Sequence, residues 1–309
     1  MPHRDNILTV TLNPAVDQII TFKNLKENFS WSAGGKGINV SRSLKIFGIR
    51  SCATGFLGGW TGEIIKEKLD QENIPHDFEM IAGCSRVNST VLDTVQRKNR
   101  STRVLEQGPR VQPQEWKRFQ QRFKKLLKGS SYVVLSGSPT RGLSSRVYSE
   151  LIKSAQRMKT KVVLDTSGAA LKKALQVKPD ILKLNSEEAQ EVCGHRLDSL
   201  GSLKKAVKKF VEQGIPLVMV TMGRQGAVLS TSSATWRALP PLIHPVNTLG
   251  CGDSFLAGFL CAHRRGENMP DSLRLATAAG AANALTLSPG TFKRDILLKL
   301  IKRIRIEKV

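Results

Sequence analysis

The sequence contains no apolar run long enough to form a membrane-spanning helix, and aromatic residues make up only 6% of its 309 positions. Leu, Ile, Val and Ala must therefore build most of the core, and a hydrophobic content of 40% is sufficient for that. Cysteine is scarce. Cys52, Cys84, Cys193, Cys251 and Cys261 form no C-x-x-C pair and are odd in number, which argues against a disulfide framework or a zinc site and for reduced thiols. The opening Met1-Pro2-His3-Arg4-Asp5-Asn6 lacks the pattern of a secretory signal, so the expected compartment is cytoplasmic. There is no G-x-x-x-x-G-K-[ST] run, because Gly35-Lys36-Gly37 is followed by neither Ser nor Thr. That disfavours a Walker-type nucleotide hydrolase, and the glycine-rich and catalytic-loop set of protein kinases is absent too. No internal repeat or low-complexity linker is visible.

Acid is also in short supply: 25 Asp and Glu stand against 48 Lys and Arg, for a net charge of +23. Such a field attracts polyanions, whether nucleic acid, acidic membrane surface or phosphorylated small molecules. The bases are scattered in pairs such as Lys117-Arg118, Lys172-Lys173 and Lys208-Lys209, which reads as solvated helix faces. With no aromatic-interleaved basic stretch, no nucleic-acid or membrane partner is expected, and a polyanion-binding protein on a kinase-like fold is the less favoured reading.

From about residue 110, short apolar runs alternate with amphipathic stretches. Tyr132-Val133-Val134-Leu135, Val162-Val163-Leu164-Asp165 and Leu217-Val218-Met219-Val220 read as strands, and Val147 to Met158 and Leu203 to Val211 as helices. Ile7 to Leu12 opens with a similar strand. The pattern predicts an α/β fold with a mainly parallel sheet covered on both faces. Gln18 to Trp31 and Arg86 to Leu105 break the rhythm with half-buried, alternating strands, predicting a small projecting sheet. The last helix is expected to run from Phe292 to about Ile306.

The strongest local signal is Asn247-Thr248-Leu249-Gly250-Cys251-Gly252-Asp253-Ser254-Phe255, between a Pro-rich loop and a helical run. Glycines let the backbone turn tightly there, and the N–H groups opening the next helix make an anion site. Asp253 in that first turn suits a general base beside a transferring phosphoryl group, or a residue that merely complements the helix dipole. A second cluster, Ala33-Gly34-Gly35-Lys36-Gly37-Ile38-Asn39-Val40, offers Lys36 and Asn39 as donors to hydroxyls or phosphate, or is simply a strand-to-helix turn.

Together the two clusters resemble the signatures of the PfkB (ribokinase-like) carbohydrate kinases. Thr9 to Asp17, Gly55-Phe56-Leu57-Gly58-Gly59, Leu105-Glu106-Gln107-Gly108-Pro109 and Leu164-Asp165-Thr166-Ser167-Gly168 resemble its 1-phosphofructokinase and tagatose-6-phosphate kinase branch. The resemblance implies one ribokinase-like domain over 1–309, a three-layer α/β/α sandwich with a β-sheet lid from about 17–33 and 86–106. It implies an ATP- and Mg²⁺-dependent kinase acting on fructose 1-phosphate or tagatose 6-phosphate, with an unphosphorylated sugar or a nucleoside as the alternative acceptor. It also implies pairing of two copies through the lid. By motif, Asp253 resembles the base and Gly250, Cys251 and Gly252 the anion hole. Asp17, Gly34, Gly35, Lys36 and Asn39 resemble the sugar ligands, and Arg86 the group that grips the phosphate already on the substrate. Lys183, Asn185, Thr221, Gly223, Gly226 and Asn283 resemble nucleotide-binding positions, with Asn283 near the adenine. Asn185 and Glu188 resemble the pair beside the Mg²⁺–phosphate network. Cys251 stands where the family usually has Ala or Ser, which leaves the backbone N–H unchanged, and the segment from Asp17 to Gly34 is shorter than usual in the branch.

Overall fold

A computed structural model describes residues 5–23, 26–93 and 101–309. In chain order its elements begin β1 (Asn6–Thr11), β2 (Ala15–Lys23), β3 (Lys26–Gly34), α1 (Lys36–Ile46), β4 (Ser51–Gly58) and α2 (Gly59–Gln71). They continue β5 (Glu79–Ile81), β6 (Arg86–Asp93), β7 (Ser101–Leu105), α3 (Pro113–Leu127), β8 (Ser130–Ser136), α4 (Val147–Arg157), β9 (Lys161–Asp165) and α5 (Gly168–Leu175). The remainder are β10 (Ile181–Asn185), α6 (Ser186–Cys193), α7 (Leu200–Glu212), β11 (Leu217–Thr221), β12 (Ala227–Thr231), β13 (Thr235–Leu239), α8 (Cys251–Arg264), α9 (Met269–Asn283), α10 (Arg294–Ile301) and β14 (Arg305–Lys308).

Among the described residues these strands form two sheets: ten strands ordered β14-β13-β12-β11-β10-β9-β8-β1-β4-β5, and four ordered β3-β2-β6-β7. From β11 to β5 the large sheet is parallel, and β12, β13 and β14 extend it antiparallel. Strand alternation sorts its side chains. Leu8, Val10, Val133, Leu135, Val162, Leu164, Leu182 and Val218 meet α3, α4, α5 and α7 in one core. Ile7, Tyr132, Val134, Val163, Ile181 and Met219 meet α1, α8, α9 and α10 in the other. Burial on both faces explains why the strands read as continuous apolar runs. The small sheet pairs β2 with β6 in parallel and β3 and β7 antiparallel to them, close to where alternation placed it. Parts of the expected segments, residues 24–25 and 94–100, lie outside the described residues.

The final element corrects the sequence reading. The helix spans only Arg294–Ile301, not Phe292 to about Ile306, and Arg305–Lys308 forms an edge strand paired with β13. Two interactions act together against a longer helix here. Ile304 is buried against the α8–α10 core and Ile306 packs at its margin, while the strand hydrogen bonds satisfy the open edge of β13. Arg305, Glu307 and Lys308 stay exposed, a charged rim that discourages further strand pairing.

Candidate active site

The same alternation that builds the second core carries polar residues onto it at the carboxyl ends of the parallel strands. Thr11 pairs with Ser136 across β1 and β8, and Ser136 with Asp165 across β8 and β9. Lys183 is two residues beyond Ile181, the partner of Val163, which brings it level with Asp165. Ligands of open α/β sheets gather at this end of the strands.

Asp165 is fully buried and accepts from two ammonium groups, Lys36 Nζ at 2.7 Å and Lys183 Nζ at 2.9 Å. Burial opposes ionisation of its carboxyl, but Lys183 and Lys36 outweigh that and hold it below the ordinary carboxylate value. Lys36 also reaches Glu188 Oε1 at 3.3 Å, and Asp165, Glu188 and Asp253 together overcome burial to hold its ammonium above the usual lysine range. The other Glu188 oxygen, Oε2, accepts from Asn185 N at 2.8 Å, and Asn185 Oδ1 accepts from Glu188 N at 2.7 Å, a reciprocal cap that starts α6.

Two helices point their first turns at this group. Neither has a side-chain cap: Gly35 caps α1 at φ 125° and Gly250 caps α8 at φ 76°, left-handed backbone that favours glycine. A Cβ on Gly35 would sit 2.5 Å from Thr11 Cγ2, and one on Gly252 would sit 2.8 Å from Lys183 Nζ. Asp253, 5% exposed, accepts from Asn39 Nδ2 at 2.9 Å. Burial raises its carboxyl to about 6, with Asp165 adding to the rise and Lys36, Lys183 and Asn39 opposing it. Cys251 lies in the same turn, and burial lifts its thiol to about 11, so it stays protonated.

Asp17, Gly34 and Arg86 form a second group at the root of the small sheet, where Ala15 pairs with both Gly34 and Arg86. The Asp17 carboxylate lies over Gly34, whose Cβ would fall 2.1 Å from Oδ2, and it accepts from Asn88 Nδ2 at 3.0 Å. Burial raises the Asp17 carboxyl against the pull of Asn88, Arg42, Arg86 and Arg103. Arg86 is fixed by backbone carbonyls, donating from Nε and Nη2 to Asn13 O and from Nη1 to Glu106 O. One N–H on each terminal nitrogen is thus left without an acceptor among the described residues.

Three of the positions expected to meet nucleotide, Thr221, Gly223 and Gly226, sit at and just after the end of β11, which neighbours β10. Thr221 pairs with Asn185 across β10 and β11. Gly223 has open space around it, whereas a Cβ on Gly226 would meet Ala238 O at 1.8 Å, so that glycine is needed for the close approach of β13. Asn283, expected near an adenine, has its amide engaged by the protein itself. It is fully buried, donating from Nδ2 to Leu249 O and accepting at Oδ1 from Ser254 Oγ and Gly290 N. Its amide braces the glycine turn from behind.

The family profile of pfkB family carbohydrate kinases matches residues 7–295. The chain belongs to the pfkB family of carbohydrate kinases. Two 1-phosphofructokinases, from Borreliella burgdorferi and Bacillus subtilis, are each 35% identical to this kinase over 98% of its chain, covering 99% and 100% of their own. The crystal structure of Escherichia coli phosphofructokinase-2 in complex with potassium superposes with a TM-score of 0.88 at 26% identity, covering 98% of this chain and 99% of that one. The kinase is therefore a phosphotransferase with an alcohol acceptor, on a ribokinase-like fold.

Asp165 had no assigned role in the sequence, although it ends the run Val162-Val163-Leu164. An acid closing an apolar strand was the available signal. Replacing it by Asn removes a negative neighbour of Asp253 and the shared counter-charge of two lysines. In Asp165→Asn the acid limb of the kcat/KM profile is expected to move below its wild-type position, and urea unfolding to show a loss of about 3–5 kcal/mol. An unmoved limb with undiminished stability would contradict this account.

Proposed function

We propose that this kinase transfers the γ-phosphoryl group of ATP to a hydroxyl of fructose 1-phosphate, giving fructose 1,6-bisphosphate, with Asp253 as the general base. The observation that carries this reading is a buried carboxylate, raised to about 6, at the mouth of an uncapped helix and beside two lysines. Near neutral pH such a group is mostly ionised yet basic enough to take a proton. Asp253 accepts the hydroxyl proton as the acceptor oxygen bonds to the γ-phosphorus. The bond from phosphorus to the bridging oxygen breaks, and ADP leaves with that electron pair. The Gly250-Cys251-Gly252 backbone and Lys183 face the charge that develops on the transferred oxygens.

Lys36 and Asn39 at the start of α1, with Asp17, Gly34 and Gly35, would hold the sugar hydroxyls. The two unused N–H groups of Arg86 would grip the phosphate the sugar already carries. Tagatose 6-phosphate presents the same kind of anion and is the second candidate. Thr221, Gly223 and the turn at Gly226 would line the nucleotide side.

Mg²⁺ fits this site as a partner of the nucleotide. Among the described residues no group of three or more His, Cys, Asp and Glu forms a metal cluster, and both Asp165 oxygens are taken by lysines. Asn185 and Glu188 would hold the ion indirectly, through phosphate and water, and it would neutralise phosphate charge. We also propose that the small sheet acts as a lid on one kinase domain and pairs two copies, because Phe29 and Trp31 stand on one face of β3 at 58% and 45% exposure. We further propose that a kinase for such substrates acts in the cytoplasm, where ATP and phosphosugars meet.

In Asp253→Asn, turnover is expected to fall by about 10³-fold or more while ATP binding, read by calorimetry, is kept. The folded carboxyl lies above its ordinary value, so the wild type pays for ionisation as pH rises through about 6. The variant should therefore be more stable by about 3 kcal/mol at pH 8, the gain vanishing below pH ~4. Near-normal turnover would remove Asp253 from the chemistry. Arg86→Ala should raise KM for a phosphosugar by about 10²-fold or more and leave a neutral sugar nearly unaffected. Equal effects on both would favour an unphosphorylated acceptor. In sedimentation velocity, Phe29→Asp with Trp31→Asp should shift a dimer to monomer, and an unchanged mass would refute pairing through this face.

A further inference from the structure

Behind Asp253 the hydrogen bonds continue into the protein. Asn39 uses Nδ2 toward Asp253 and turns Oδ1 to Arg42 Nη1, at 2.8 Å. Arg42, one helical turn along α1, is 7% exposed, and every N–H of its guanidinium has an acceptor. Nη1 also donates to Pro289 O at 3.0 Å, Nη2 donates to Ala33 O at 2.8 Å and Glu72 Oε1 at 2.9 Å, and Nε donates to Glu72 Oε2. Glu72 caps α2 and receives Lys45 Nζ on its backbone carbonyl. On the outer side of this pair lies a cleft of about 470 Å³, lined by Arg42, Glu72, Lys45, Ser32 and Pro289.

An amide has one accepting end and one donating end, and a guanidinium can only donate. Arg42 therefore fixes which way Asn39 faces. With Oδ1 held by Nη1, the Asn39 end that meets Asp253 must be the donor, and a donor stabilises the ionised carboxylate. Without the guanidinium, Asn39 is free to turn over and accept a hydrogen bond from the O–H of a neutral Asp253 carboxyl, favouring the form that cannot act as a base.

We propose that Arg42, clamped by Glu72, is a positioning residue that sets the orientation of Asn39 and thereby keeps Asp253 in its proton-accepting form. The proposal rests on the reading of Asp253 as the base. It assigns work to a residue whose guanidinium has no donor left for a ligand. The groups facing the Asp253 carboxyl are Asn39 and Lys36 from α1, Asp165 from β9 and Lys183 from β10. Of these, Asn39 alone is bonded to Arg42.

The test is the pH dependence of kcat/KM in Arg42→Met, Arg42→Lys and Glu72→Gln, with ADP release as the readout and Asp253→Asn as control. In Arg42→Met the acid limb is expected to move up by at least about one pH unit. For a limb near 6 that moves up by one unit, the variant should lose about tenfold at pH 5, about twofold at pH 7 and almost nothing by about pH 9. Arg42→Lys, which still donates to Asn39, should restore most of the limb, and Glu72→Gln should sit between it and the wild type. A merely structural role for Arg42 would lower activity by the same factor at every pH, and that result overturns the proposal. If Arg42→Met fails to fold, the other two variants decide: wild-type limbs in both overturn it, and graded upward shifts support it. A fully active Asp253→Asn would instead refute the base assignment, separating the two failures.

Discussion

The site depends on one carboxylate shared between two ammonium groups. Asp165 bonds Lys36 from α1 and Lys183 from β10, tying the start of a helix to the end of the sheet. Taking such charges from water is costly, and only close mutual compensation makes it tolerable. Its effect reaches the neighbouring acid: with Asp165 ionised beside it, Asp253 is driven toward a proton affinity useful near neutral pH. Three acids and two lysines share the centre, so its cations are already ordered and partnered within the protein. Any anion entering there would have to compete with Asp165 and Glu188 for the same ammonium protons.

The large sheet makes this arrangement inexpensive to specify. Because β1, β8, β9 and β10 are parallel neighbours in register, one residue at the end of each falls on a single row facing α1 and α8. Side-chain alternation does the aiming, so the residues behind the row remain ordinary aliphatic core. The polar row is a local exception at the end of strands otherwise buried on both sides.

What was legible in the sequence were features the backbone itself demands. The glycines before Lys36 and Asp253 announce close approach and left-handed turns, and these occur at Gly35 and Gly250. Continuous apolar strands announced a sheet covered on both sides, and the alternating segments announced the small second sheet. Features that depend on distant partners were not legible. A single acid after Val162-Val163-Leu164 resembles many strand ends until Lys36 and Lys183 arrive from elsewhere in the chain. Arg42 reads as a helix base until Glu72 and Pro289 surround it. Nor did the sequence show the partners of the Asn283 amide, which come from Leu249, Ser254 and Gly290. At Arg305 to Lys308 the two-residue period of the alternating Ile side chains was present, and the pull of an open sheet edge settled its meaning.

Strand β1 is made early yet lies in the interior of the large sheet, between β4 and β8. During synthesis it must wait for residues 51–58 and then 130–136 before both its edges are covered. The Asn39–Asp253 contact joins positions 214 apart, so the buried Asp253 carboxylate is seated only after most of the polypeptide has emerged. A half-made chain therefore has neither a finished sheet nor the cluster of Asp165, Asp253, Lys36 and Lys183, which closes only near the end of synthesis.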